Sequence, residues 1–329
     1  MNFKSKLMGA VAGTAMLMGA SAASALDEIT VAYFLEWPTP NQFAQADGSF
    51  SEMMGVKVNW TAFDTGAQMS AAMAAGNIHI AYSHGLVPFI AAVSNGVKIK
   101  TVGIAVSYAE NDNCVVHGKS GITKGSAAGL EGKRVAVPLG TVPHYKLLRQ
   151  LDYLNVNTEK VKLVDMSPQD GVTALARGAV AMACGWGGSL VRMKKYGDVL
   201  MSASELEAMG VQVFDVISVT NDFADKYPKL VTKFLRVTDQ AAAYLREDPG
   251  KAQPVIAKAA GMKLADSNKV LGRFVFLSKK DQLTAGWLGG GTQALMKEVA
   301  DFMVEAKQMA KAMDNYNRVV DASFYQNVR

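Results

Sequence analysis

One carboxylate of the sequence lies inside an otherwise apolar segment, where a charge is costly. Asp215 follows Val213 and Phe214 and precedes Val216 and Ile217. A charged group that is buried without a partner costs several kcal/mol. We therefore expect Asp215 either to pair with a lysine or arginine of the chain or to bind a cationic ligand group such as an ammonium.

Two tryptophans follow segments that the sequence predicts to be strands. Glu36 and Trp37 come after the predicted strand at residues 29–33, and Trp186 follows the corresponding strand in the second half of the chain. An indole ring can cover the apolar stem of a ligand or hold an ammonium through a cation–π contact. Ligand binding and ordinary core packing are both open for each tryptophan, and Glu36 is a second candidate carboxylate.

Two further loops carry side chains suited to an anion. One contains Ser83, His84 and Gly85, and the other contains Thr141 and His144. Each precedes a predicted helix, whose free N–H groups and dipole attract negative charge. Helix capping by Ser83 and Thr141 is the alternative interpretation. Anion-binding loops opposite a buried carboxylate indicate a small zwitterionic ligand.

The sequence carries no recognised catalytic or metal-binding motif. The patterns GxSxG, GxxxxGK(S/T) and HExxH are absent. Ser83 and His84 are neighbours in the chain, so their side chains should diverge. The histidines His79, His84, His117 and His144 are scattered rather than grouped as metal ligands. We expect a binding protein without metal or cofactor rather than an enzyme.

The first 25 residues have the pattern of a cleavable export signal. Lys4 and Lys6 precede an apolar run at residues 7–20, and Ala23–Ala25 fits the small-residue cleavage rule. The run is too short and too rich in glycine and alanine for a membrane span of about 20 strongly apolar residues. We expect the mature chain to begin near Leu26 and to reside in the periplasm.

The distribution of charge argues against nucleic acid as a partner, and the two cysteines leave a disulfide open. The net charge is +5, from 34 basic and 29 acidic residues, and it is not concentrated in a run. Nucleic acid would require a basic stripe with interleaved aromatic residues, which is missing. Cys114 and Cys184 could form a disulfide in an oxidising compartment, or they could be two small buried side chains.

A weak internal repeat indicates two units of similar fold. Gly178 lies 102 positions after Gly76, and each glycine follows a predicted helix and precedes a short buried strand and a glycine-containing loop. Strands that alternate with helices imply mostly parallel sheets. Ligands bind at the carboxyl ends of such strands, so the loops of two facing units would meet in one cleft.

These patterns predict an α/β protein with two lobes, each a mostly parallel sheet flanked by helices, and with the ligand in the cleft between them. Lobe one is expected at residues 26–107 and 220–329, and lobe two at residues 108–219. A β-branched stretch at residues 211–219 is expected to cross back between the lobes. The chain after residue 292 is expected to be largely helical as far as Arg318.

Several stretches spread over most of the chain carry a family signature: Val31–Tyr33, Phe43–Asp47, Phe63–Gly66, Ala75–Ile78, Gly132–Pro138, His144–Tyr145 and Asp222–Pro228. On these stretches the chain resembles the periplasmic taurine-binding components of ABC importers. They belong to a wider group of proteins that bind aliphatic sulfonates, nitrate and thiamine-precursor pyrimidines.

The resemblance implies a periplasmic binding protein of type II, a monomer that closes on its ligand and docks on an ABC permease in the inner membrane. It implies that Asp215 binds the amine of taurine. It also implies that Ser83, Thr141 and His144 surround the sulfonate, and that Trp186 corresponds to the tryptophan of the second lobe.

The first loop departs from the family pattern. Relatives carry a Glu just before the proline that matches Pro40, where this chain has Thr39, and Glu36 and Trp37 lie upstream instead. His84 replaces a small residue after the serine. The ligand is expected to be taurine or a closely related small sulfonate, and these departures leave a sulfinate or a different amine-bearing anion open.

Two alternatives use the same scaffold. In one, a thiamine-precursor pyrimidine stacks between Trp37 and Trp186 and pairs with Asp215. In the other, the chain is an enzyme such as a pyrimidine synthase, against which the export signal argues.

Overall fold

The computed structural model describes residues 26–328. The predicted export signal at residues 1–25 lies outside the described residues. The strands are β1 (Glu28–Tyr33), β2 (Lys57–Ala62), β3 (Ile80–Gly85), β4 (Ile99–Tyr108), β5 (Asp112–His117), β6 (Arg134–Val137), β7 (Lys162–Asp165), β8 (Met182–Trp186), β9 (Gly197–Val199), β10 (Phe214–Thr220) and β11 (Phe274–Val275).

The α-helices alternate with the strands in the first two thirds of the chain and dominate the last third. They are α1 (Pro40–Ala46), α2 (Ser49–Met54), α3 (Gly66–Ala74), α4 (Leu86–Ser94), α5 (Val142–Tyr153), α6 (Pro168–Ala176), α7 (Gly187–Met193), α8 (Ala203–Ala208), α9 (Asn221–Lys226), α10 (Pro228–Glu247), α11 (Pro249–Ala259), α12 (Leu264–Leu271), α13 (Lys279–Gln282), α14 (Gly291–Glu305) and α15 (Ser323–Gln326). Within residues 26–328, none of the helices is both long and apolar enough to cross a membrane.

The strands form two mixed sheets. The first has the order β11-β4-β10-β3-β1-β2, and the second has the order β7-β6-β8-β5-β9. In the first sheet β1 is parallel to β2 and β3, whereas β10 runs antiparallel between β3 and β4. In the second sheet β6 is parallel to β7 and β8, and β5 is antiparallel to β8 and β9. The α/β class is confirmed, but the pairing is mixed rather than mostly parallel, because β10 and β5 each run against their neighbours.

The internal repeat is confirmed by the positions of the elements. Helices α3 and α6 begin 102 positions apart, and so do strands β3 and β8. The side chains of Thr65 and Ser167 cap the two helices by accepting a backbone N–H. Gly76 and Gly178 take positive φ angles of 77° and 68° after the helices, a conformation that glycine adopts without steric cost. The strand order β2-β1-β3-β10 matches β7-β6-β8-β5.

The core follows the two sheets. One large apolar cluster surrounds the first sheet, and two smaller clusters cover the second. Residues 214–219 lie in the first sheet as part of β10, although the sequence-based division assigns them to lobe two. We retain the proposed lobes, with the chain re-entering lobe one at residue 214 rather than 220.

The last long helix is shorter than expected. Helix α14 ends at Glu305, whereas the sequence pattern predicts helical structure as far as Arg318. Lys307 adopts a left-handed φ of 58°, which a continuing helix cannot contain. The chain then proceeds through turns and the short 3₁₀ helix Asn317–Val319.

The two cysteines form a disulfide. Cys114 and Cys184 are direct partners across β5 and β8, and both are buried. Their sulfurs are bonded to each other. Of the two interpretations that the sequence leaves open, a disulfide or two unpaired buried side chains, the structure shows the disulfide.

Candidate ligand-binding site

A cavity lies between the two sheets and is lined from both. About 340 Å³ between its walls, part of it open to solvent, is not filled by protein atoms. The first sheet and its loops supply one set of lining residues, and the second sheet and the start of α5 supply the other. The lining residues are Phe34, Trp37, Gly66, Gly85, Pro88, Tyr108, Asp112, Thr141, Val142, Pro143, Trp186 and Asp215.

The carboxyl group of Asp215 is held by neutral donors. Asp215 lies in β10 and is only 3% exposed. The Ser83 hydroxyl donates to its Oδ2 at 2.6 Å, and the Tyr108 hydroxyl donates to its Oδ1 at 2.8 Å. The indole N–H of Trp37 donates in turn to the Ser83 oxygen at 2.8 Å. Both carboxyl oxygens are thus bound by hydroxyls of the described chain rather than by a lysine or arginine.

Burial controls the charge of this carboxyl group. Burial raises the pKa of Asp215 to about 7, although the hydrogen bonds from Ser83, Tyr108 and Trp37 lower it in part. The negative charge of Asp112 raises it further. A cation placed beside Asp215 would favour the ionised form. The group is therefore poised to change its charge when a cation arrives.

The backbone around Ser83 is irregular. Ser83 has a φ of 63°, a left-handed conformation that costs a non-glycine residue roughly 1–2 kcal/mol. The pairing of β3 with β10 shifts register at the same place, between Val216 and Ser218. Such bulges redirect side chains next to functional sites. Here the bulge accompanies a Ser83 hydroxyl that contacts both Trp37 and Asp215.

His84 lies outside the set of lining residues. Its ring nitrogens contact the hydroxyls of Ser70 and Ser218 at 2.9 and 2.8 Å and the carbonyl of Gly66 at 3.2 Å. Burial lowers the pKa of His84 to about 4, so the ring is neutral. The structure thus gives His84 a role in the core and does not bring it to the cavity, whereas Gly85 does line it.

In the loop before α5 and the first turn of that helix, one predicted site residue also lines the cavity and the other does not. Thr141 lines the cavity, and its hydroxyl donates to the carbonyl of Pro138 at 2.5 Å. His144 is buried and does not line the cavity; its Nδ1 accepts the N–H of Gly140 at 3.1 Å. Burial lowers the pKa of His144 to about 4. Its Nε2 is buried and has no hydrogen-bond partner within residues 26–328, and contact of His144 with an anion stays a prediction.

Glu36 connects the two lobes rather than facing the cavity. Its Oε1 and Oε2 accept hydrogen bonds from Nη1 and Nη2 of Arg192 in α7 at 2.6 and 2.8 Å, and Ser189 donates to Oε2 at 3.2 Å. The N–H of Gly188 donates to the Glu36 carbonyl at 2.9 Å. A side chain at Gly187 would place its Cβ 2.1 Å from that carbonyl oxygen. The close approach therefore requires a glycine.

Aromatic side chains form much of the cavity wall. Trp37 packs edge-on against Tyr108 and Phe274, with ring centroids 5.1 and 4.6 Å apart. Trp186, at the end of β8, lies 5.8 Å from the ring of Phe34. Both tryptophans line the cavity and also pack against protein, so packing and ligand contact are not exclusive alternatives.

Sequence reasoning missed several of the lining side chains, including Phe34, Tyr108 and Asp112. Phe34 and Tyr108 occur in strand-like segments where aromatic residues are common, so neither gives a signal. Asp112 is flanked by Asn111 and Asn113, which suggest exposure, yet it is 1% exposed. Within residues 26–328, no group of three or more histidine, cysteine or acidic residues is placed to hold a metal ion.

Comparison with known proteins supplies the family and the fold. The family model described as "NMT1/THI5 like" matches residues 39–252. The chain is 29% identical over 304 residues to the taurine-binding periplasmic protein of Escherichia coli (strain K12), which covers 91% of this chain and 92% of the relative.

Two solved structures have a similar fold. The periplasmic aliphatic sulphonate binding protein SsuA from Escherichia coli aligns with a TM-score of 0.72 at 20% identity, covering 92% of this chain and 99% of that one. The desulfurization enzyme DSZB aligns with a TM-score of 0.65 at 15% identity, covering 92% and 98%. This fold therefore occurs both in a binding protein and in an enzyme.

The raised pKa of Asp215 predicts a specific pH dependence of stability. Its folded pKa of about 7 lies above the usual 3.8, so the folded protein keeps a proton that the unfolded chain loses in this window. The free energy of unfolding of the wild type, relative to Asp215→Asn, should therefore fall from about pH 4 to about pH 7 by a few kcal/mol, at about 1.4 kcal/mol per pKa unit. Urea denaturation across this range measures the free energy of unfolding of both proteins. If the difference between them does not change with pH, the raised pKa of Asp215 is contradicted.

The pair of Glu36 and Arg192 should show measurable coupling. A double-mutant cycle with Glu36→Gln and Arg192→Gln should give an interaction energy of about 1 kcal/mol in denaturant unfolding, since the pair is two-pronged and only partly exposed. Lys307 and Glu159 form the control pair, because their side chains are 81% and 80% exposed, and their coupling should be near zero. Additive effects of the Glu36 and Arg192 changes would show that the contact contributes no interaction energy to stability.

Proposed function

The chain belongs to the NMT1/THI5-like family, and from that membership we propose that it is a periplasmic substrate-binding protein of an ABC importer. Its ligand is a small sulfonate, with taurine as the best candidate, and it delivers that ligand as a monomer to a permease in the inner membrane. The similarity to a taurine-binding protein over nine tenths of both chains supports this proposal. The observation that carries it is a buried carboxyl group in an aromatic cavity between two sheets.

Asp215 would bind the amine end of the ligand. An ammonium group offers three N–H donors and a positive charge. The charge would offset the cost of ionising a buried carboxyl group. Ser83 and Tyr108 already hold the two carboxyl oxygens, so the carboxylate is oriented before the ligand arrives.

The sulfonate end would lie where two helices begin. Helix α4 of the first lobe starts after Gly85, and α5 of the second lobe starts after Thr141. The two starts are close, because a Cβ on Gly85 would lie 3.6 Å from Cγ2 of Val142. Free N–H groups and helix dipoles stabilise an anion at such ends. The cavity thus offers a site for each end of a short zwitterion.

Closure of the lobes would enclose the ligand. The cavity wall comes from both sheets, so separation of the lobes would open the site and release the ligand. The contacts of Glu36 with Arg192, Ser189 and Gly188 join the lobes beside the cavity. They would favour the closed arrangement that binds the ligand.

We propose no enzymatic activity. Both cysteines of the chain form the disulfide, so neither supplies a thiol nucleophile. The Ser83 hydroxyl is bound to a carboxyl group and an indole rather than to a histidine, so the pairing of nucleophile and base that activates a serine is not formed.

Calorimetry with three ligands tests the proposed function. Taurine should bind the wild type more tightly than ethanesulfonate, which lacks the amine. In Asp215→Asn the preference should fall by about tenfold or more, the minimum for a charged buried contact. Asp239→Asn is the matched control, because Asp239 is a partly buried carboxyl group whose pKa burial raises to about 6, but it contacts Tyr325 outside the cavity.

Two results would contradict the proposal. Equal affinity of the wild type for taurine and ethanesulfonate would exclude Asp215 as the amine-binding group. Binding of an aminopyrimidine, the third ligand, with no binding of either sulfonate would favour the pyrimidine alternative instead.

A further inference from the structure

A second carboxyl group borders the same cavity from the opposite sheet. Asp112 is the first residue of β5, is 1% exposed and is one of the lining residues. Its Oδ1 forms an ion pair with the ammonium of Lys146, which is equally buried. Its Oδ2 is buried and has no hydrogen-bond partner within residues 26–328.

Lys146 cannot serve the second oxygen of Asp112. Its Nζ donates to Oδ1 of Asp112 and to the backbone carbonyls of Ala109 and Asp112, the latter two at 2.7 and 3.2 Å. These contacts use the three donors of an ammonium group. A buried carboxylate oxygen without a donor is costly, and most such oxygens are bound in folded proteins.

Asp112 differs in this respect from every other lining side chain. Both oxygens of Asp215 accept hydrogen bonds. Among the lining side chains of the described chain, Asp112 alone has a buried polar atom without a partner. One residue that lines the cavity therefore carries a strong acceptor that lacks a donor.

The two carboxyl groups are close enough to influence each other. Burial is the main reason that the pKa values of Asp215 and Tyr108 are raised, and the Asp112 charge raises both further. Tyr108 connects the two sites, since its hydroxyl donates to Asp215 and its ring centroid lies 5.9 Å from Nζ of Lys146. Both carboxyl groups therefore lie near Tyr108.

We propose that Oδ2 of Asp112 is a second acceptor for the ligand's ammonium group, which is held between Asp215 of the first lobe and Asp112 of the second. This inference rests on the proposed function, because it assigns a further contact to the same amine. A primary ammonium can donate to both carboxylates and still has a third N–H. The ligand thereby connects the two lobes through its cationic end, and Lys146 balances the additional negative charge.

The test measures two ligands on the wild type and on Asp112→Asn. Ethanesulfonate carries the sulfonate without the amine, so it reports on the sulfonate site and the shape of the cavity but not on the contacts of the amine. We expect the variant to bind taurine about tenfold or more weakly and to bind ethanesulfonate as the wild type does. If Asp112 only holds Lys146 in place, both ligands weaken by the same factor and the proposal is wrong.

A second variant keeps the test valid if Asp112→Asn fails to fold. Removing one partner of a buried ion pair leaves the other charge unpaired and destabilises the protein. The double variant Asp112→Asn/Lys146→Gln removes both charges, and it should show the same selective loss of taurine affinity. If both Asp112 variants keep the wild-type preference for taurine, this inference fails while the proposed function stands. If the wild type itself shows no such preference, the proposed function fails.

Discussion

Burial of the Asp215 carboxyl group is the constraint on which the cavity depends. A carboxyl group in an apolar strand is tolerated only when donors replace water, and those donors come from separate parts of the first lobe. Ser83 is on β3, Tyr108 is on β4, and Trp37, which binds Ser83, follows β1. The antiparallel placement of β10 between β3 and β4 brings the carboxyl group to this position. The mixed pairing of the first sheet is therefore directly linked to the chemistry of the cavity.

The carboxyl group of the second lobe differs from Asp215 because it is paired with a cation. Its carboxyl group, Asp112, already has a buried cation in Lys146, whereas Asp215 has only hydroxyl donors. The contact between Glu36 and Arg192 joins the lobes beside the cavity and has its own matched charges. Asp215 is thus the carboxyl group of the cavity wall without a cationic partner, and burial raises its pKa to about 7. A cationic ligand group would meet an acceptor that becomes fully charged as it binds.

The sequence was sufficient for the repeat, the two α/β units and the importance of Asp215, because each of these leaves a pattern along the chain. The offset of 102 positions follows from glycine and cap residues, and Asp215 is conspicuous among apolar neighbours. The partners of individual side chains leave no such pattern. Glu36 contacts Arg192, which lies 156 positions away in the chain. The bulge at Ser83 directs the Ser83 and His84 side chains to different surroundings, and the local sequence does not indicate this. Asp112 was missed because its neighbours are polar although the strand is buried.

A crystal structure of the protein with bound taurine tests the central claim most directly. The account predicts that the taurine nitrogen lies within hydrogen-bond distance of Asp215 and of Oδ2 of Asp112, with the sulfonate at the starts of α4 and α5 near Gly85 and Thr141. A ligand bound in the opposite direction, with its sulfonate beside Asp215, would contradict it, and so would taurine bound outside the cavity between the two sheets.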